Sequence, residues 1–199
     1  MNGINKDLSS QIEILENILN LNENIEKVLN VSQLEFDHYY VGAGSLVQTV
    51  WNYLSGYPLN YGISDIDIIY FDDKDLSKEK EEMIEQKLAS SLSDLPLEID
   101  VKNEARVHLW YKEKFGKDIN PYQSLEDAIN SWPTTATALG VRRENNGEFK
   151  VYAPYGLNDL FSMTVRANKQ LISRDIYETK ATKWVNLWPK LTVIPWENE

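Results

Sequence analysis

An α+β fold, a mixed sheet flanked by helices, is what the sequence predicts, and three observations predict it. Apolar residues recur at spacings of mostly three and four over residues 7 to 30, as on one side of a helix. Two short runs, Ile66-Asp67-Ile68-Ile69-Tyr70-Phe71 and Leu97-Glu98-Ile99-Asp100-Val101, are β-branched or strictly alternating, which marks strands. Further helical segments and a hairpin signal interleave with them, so the elements do not fall into separate blocks.

Leu8, Ile12, Leu15, Ile18, Leu19, Ile25, Val28 and Leu29 predict one or two amphipathic helices. Tyr39-Tyr40-Val41 reads as a short strand stopped by Gly42-Ala43-Gly44, after which helical spacing returns up to Gly56, a helix stop. The run at 66–71 ends in a turn at Asp72-Asp73. Residues 76 to 92 read as an exposed helix with a solvated, charge-rich face. Asn103 can cap a helix through Phe115, closed by Gly116, and Ser124 with Asp127 can cap another. Thr135 to Arg143, a turn at Asn145-Asn146-Gly147, and Phe149 to Tyr152 form the hairpin signal. Helical segments are expected around 157 to 166 and 174 to 186. The tryptophans at 132, 184, 188 and 196 read as covers over a core. No repeat or linker divides residues 1–199, so one domain is expected, with an N-terminal helical segment and a C-terminal, Trp-rich helical extension.

The 199 residues hold 31 Asp and Glu against 20 Lys and Arg, a net charge of -11. That balance disfavours a long nucleic-acid partner, because neutralising phosphates takes clustered cations. With no cysteine and two histidines, a thiol nucleophile, a disulfide framework and a multi-histidine metal site are excluded. No run approaches the ~18 apolar residues of a membrane span, and a cytoplasmic protein without membrane contact is expected.

Asp65 and Asp67 stand two apart on a predicted strand, so they project from one face about 6.5 to 7 Å apart. Carboxylates packed that closely repel, and a divalent cation is the usual remedy; magnesium accepts such a pair when phosphate oxygens and water complete its shell. A second strand carries Asp100 and Glu98 on its polar face. With one of them, three carboxylates suffice for two Mg2+ ions in phosphoryl chemistry, Asp65 and Asp67 bridging and Asp100 holding the ion that activates the attacking hydroxyl. Asp100 is preferred to Glu98 for its shorter side chain. Gly42, Gly44 and Ser45 sit at a strand-to-helix junction, where backbone N–H groups and the helix dipole suit a phosphate. Lys102 shares the face of Asp100 and either binds phosphate or neutralises the acids. Arg106 and His108 follow; Arg106 either meets a triphosphate or forms a surface salt bridge, and His108 either enters the cleft or is a satisfied imidazole.

The combination of a small-residue turn, a helix and Asp-x-Asp on a strand, VGAGSLVQTVWNYLSGYPLNYGISDIDIIYFDD, resembles the nucleotidyltransferase superfamily that includes DNA polymerase β. It looks most like the head domain of bacterial CCA-adding enzymes; Gly156-Leu157-Asn158-Asp159-Leu160 with Arg166 also resembles a segment of that group. Trp51-Asn52 stands where those enzymes carry Arg-Asp. Nearly the whole chain further resembles a bacterial family of standalone nucleotidyltransferase-like proteins, through residues 101–111, 132–142, 153–157 and 188–191. The resemblance implies a polymerase-β-like palm, two magnesium ions and a nucleoside triphosphate such as ATP, with the acceptor left open. Two other readings stand beside it. One is a non-catalytic nucleotide-binding or partner-binding module on the same fold; the other is a glycosyltransferase using Asp-x-Asp to hold a nucleotide-sugar.

Overall fold

The computed structural model describes residues 2–197. Helices α1 (Leu8–Leu19) and α2 (Glu23–Glu35) come first, each begun by a side-chain cap: Asp7 accepts from the Ser10 N–H and Asn22 from that of Asn24. Strand β1 (Tyr39–Gly42) runs directly into α3 (Ala43–Ser55), which stops where Gly56 turns left-handed. Next come β2 (Asp65–Tyr70), α4 (Lys78–Ser91), β3 (Glu98–Asn103), one 3-10 turn, α5 (Val107–Phe115), α6 (Leu125–Asn130), β4 (Gly140–Arg143) and β5 (Phe149–Tyr152). The chain finishes with α7 (Asn158–Phe161), β6 (Thr164–Val165), α8 (Arg174–Leu187) and β7 (Thr192–Val193).

The main sheet has the order β3-β2-β1-β4-β5. β2 and β3 pair in parallel, whereas β1 pairs antiparallel with both β2 and β4, and β4 with β5. A parallel pair needs a crossover, and α4 supplies it. α4 has the solvated, charge-rich face expected of it, except that its Glu81 is buried, accepting from the Asn103 N–H at 2.7 Å and pairing with the Arg106 guanidinium at 2.5 Å.

Alternation along the strands gives the sheet two unlike faces. Tyr39, Val41, Ile66, Ile68, Val101 and Val141 enter the large core built with α1, α2 and α3. Trp51 of α3 is fully buried there and meets Trp184 and Trp188 edge-on, at centroid distances of 5.7 and 5.6 Å. The Trp188 indole N–H donates to Asn52 Oδ1 at 2.7 Å, tying the C-terminal region to α3. On the opposite face, Tyr40 and Ile69 join Leu125, Ile129 and Ala138 in a small second cluster.

Three local expectations are corrected. α2 extends to Glu35; residues 135–139 are irregular and the hairpin strand begins only at Gly140; and 157–166 holds one short helix followed by a strand. Met163 ends that helix with a φ of +54°, and its carbonyl accepts from the Thr192 N–H, beginning the parallel β6–β7 pair.

Candidate active site

Register builds the site. Asp100 pairs with Asp67, Asp67 with Gly42, and Gly42 with Gly140, so these four form a row across four strands on the face of the small cluster. Asp65 lies two residues along β2 on that face, opposite Glu98. Asp67 and Asp100 line a cleft of about 260 Å³ together with Lys102, Glu104, Lys180 and side chains of α5. Glu98 is exposed and does not line it. The structure thus brings together Asp65, Asp67, Asp100 and Lys102.

The row passes into the start of α3. A Cβ on Gly42 would lie 2.4 Å from the Trp132 ring, so any other residue there displaces that ring. A Cβ on Gly44 would meet only the Gln48 side chain, at 3.2 Å. No side chain caps α3, so first-turn amides remain available to an anion. The entry is strained: Ala43 takes a φ of +52°, and its N–H donates to Leu139 O at 3.1 Å. Two expected phosphate ligands are redirected. Ser45 is buried and its hydroxyl points back to the Gly42 carbonyl, 3.5 Å away. Arg106 does not line the cleft; its guanidinium donates to Glu81 and to Leu76 O, because the crossover helix offers the buried cation a buried anion. His108 is not at the cleft either, and its buried Nδ1 has no hydrogen-bond partner among the described residues.

Crowding of like charges marks the electrostatics. Burial, then the charges of Asp65 and Asp100, push Asp67 up to about 7. Burial, then Asp67 and Glu81, push Glu104 up to about 8. Lys102 donates to Asp100; burial opposes its charge, but that bond and Glu85 leave the ammonium above the usual lysine range. Burial lowers Lys180 despite the attraction of Asp67. Among the described residues no three acidic or histidine side chains converge as a ready metal cluster. The donors still suit a hard divalent cation: they are carboxylate oxygens, crowded enough that Asp67 holds a proton near neutrality when no cation balances it.

Glu104 was missed from the sequence, although it extends the alternation of 98, 100 and 102 by one step. Trp132 covers the small cluster, as expected of it, and also lies across Gly42 beside the carboxylates. Lys180 arrives from α8, and nothing in its neighbourhood along the chain signals this.

The comparisons agree with this geometry. A protein whose NMR structure is described as revealing a CCA-adding enzyme head domain is 27% identical to this chain, with a TM-score of 0.71 over 90% of this chain and 95% of that one. No curated protein matches. The family model for nucleotidyltransferases matches residues 30–193, which covers β1 through β7 and every residue of the row, and the chain belongs to the nucleotidyltransferase family.

Proposed function

We propose that the chain transfers a nucleoside monophosphate from a nucleoside triphosphate, such as ATP, to a hydroxyl of a small-molecule or protein acceptor. The observation that carries this is the row of Asp100, Asp67 and Gly42, which sets two carboxylates beside an uncapped helix start. The acceptor oxygen bonds to the α-phosphorus as the bond to the bridging oxygen breaks. Pyrophosphate leaves with that electron pair, and the hydroxyl proton passes to water.

The Gly42 to Gly44 backbone and the α3 dipole hold the β and γ phosphates, where a side chain on Gly44 would obstruct approach. Asp65, Asp67 and Asp100 would hold two magnesium ions, which when bound neutralise the phosphates and acidify the attacking hydroxyl. Lys102 donates to Asp100 and, beside the carboxylates, would supply a cation for a phosphate oxygen. Ser45 contributes through its backbone rather than its hydroxyl. The net charge of -11 supports a small or protein acceptor over a long nucleic acid. No helix among the described residues is long and apolar enough to cross a membrane.

Triphosphates labelled at the α or the γ position, incubated with protein, magnesium and a metabolite extract, test the reading. Label transfer from the α position alone, lost on chelation and in Asp65→Ala with Asp67→Ala, is the expected result. The bond between Lys102 and Asp100 favours the second reading, a nucleotide-binding module without catalysis; triphosphate binding with no α-label transfer would establish it. The glycosyltransferase alternative falls with the family assignment.

A further inference from the structure

The cleft beside the carboxylates has a composition that phosphate binding does not require. Along α5, Val107, Trp110, Tyr111, Lys114 and Phe115 all line it. This is one helix face at i, i+3, i+4, i+7 and i+8, yet Phe115 remains 37% exposed. Tyr111 and Phe115 rings stand 4.6 Å apart. Trp132, Ile172 and Ile176 line it as well. Asp67 and Asp100 line the cleft whereas Gly44 and Asp65 do not, so it abuts the Asp67–Asp100 end of the row, with Trp132 reaching across to Gly42. In an in-line displacement the nucleophile enters opposite the leaving pyrophosphate, and a cleft on that side receives the acceptor.

Charge defines the ligand further. Lys114 and Lys180 both line the cleft, and among the described residues neither has a carboxylate within ion-pair distance, while Lys102, Lys112 and Lys150 do. Lys114 lies over the Trp110 and Phe115 rings at 5.4 and 5.5 Å. At about 260 Å³ the space falls below the usual range for drug-sized ligands, which suits one planar ring with a short substituent.

Resting on the nucleotidyl-transfer reading above, we infer that this cleft is the acceptor subsite and takes a small aromatic compound that carries an anionic group and the hydroxyl to be modified. The ring stacks between α5 and Trp132, the anion meets Lys114 and Lys180, and the hydroxyl reaches the side of the site bounded by Asp100.

The test is a set of titrations of the full chain by NMR, reading the indole N–H signals of Trp110 and Trp132. The probes are 4-hydroxyphenylacetate and AMP, against 3-hydroxybutyrate, which lacks the ring, and adenosine, which lacks the anion. Each is run with and without saturating magnesium and α,β-methylene-ATP. The expected result is that the two aromatic anions shift both indoles, with the triphosphate analogue present, and bind about tenfold more tightly than either control, the scale of one stacked ring. Trp110→Ala, and separately Lys114→Gln, should weaken them about tenfold while leaving affinity for the analogue unchanged. Equal binding of the controls overturns the inference. So does an equal loss of analogue affinity in Trp110→Ala, which would assign the cleft to the base of the triphosphate itself. If Gly44→Val leaves analogue binding intact, the phosphate reading fails instead, and the probe titrations still decide what the cleft holds.

Discussion

The two faces of the sheet use the same strands for opposite purposes. On one, Val41, Ile68 and Val101 disappear into a dry core closed by Trp51, Trp184 and Trp188. On the other, one residue along each strand, Gly42, Asp67 and Asp100 form a polar row that only a small apolar cluster supports. The first face supplies stability, and it has enough of it to hold like charges together on the second. A strand that slipped by one residue would exchange the two.

Changes on either face separate these roles. On the polar face the largest effect is on turnover: Asp67→Asn should cut α-label transfer about 10³-fold, near 4 kcal/mol of barrier, with an unchanged circular dichroism spectrum. On the dry face, Trp51→Ala should cost about 4 kcal/mol of stability, read by urea denaturation, and a loss under 1 kcal/mol would break the contrast. Glu104→Gln should move stability the other way. A carboxyl whose folded pKa, about 8, exceeds its unfolded value of 4.5 loses stability as pH rises from the unfolded value through the folded one. The variant should therefore match the wild type near pH 4 and exceed it at pH 8 by on the order of 4 kcal/mol. Chelator-treated protein unfolded across that range gives the measurement; Asp67, raised by its own burial and by Asp65 and Asp100, adds to the slope that remains. Smallest is Gly42→Ala, where a methyl pressed against Trp132 should cost about 2 kcal/mol and lower label transfer as the tryptophan shifts. Unchanged turnover there would mean that Trp132 does not shape the site.

Much of this was written in local pattern. β-branched and aromatic residues located β2, alternation located β3, capping residues Asn103 and Ser124 located the helices after them, and two aspartates at spacing two located the carboxylates. What escaped was set by tertiary closure. Ser45 has the residue type of a phosphate donor, but its rotamer faces the Gly42 carbonyl inside the fold. Arg106 lost its expected role because its partner Glu81 lies 25 residues earlier, on a crossover helix whose position depends on the parallel pairing of β2 with β3. Lys180 reaches Asp67 only because α8 packs back through Trp184 against Trp51. Charge and pattern along the chain carry no information about that return.

The lateness of α8 in the chain has a consequence for synthesis. The carboxylates and the start of α3 emerge from the ribosome well before Lys180 and the Trp188 that bonds Asn52. A nascent chain can form the sheet while its cleft still lacks one wall. The cleft is therefore completed only once α8 has followed the sheet, and a product interrupted before it keeps its acids without that wall.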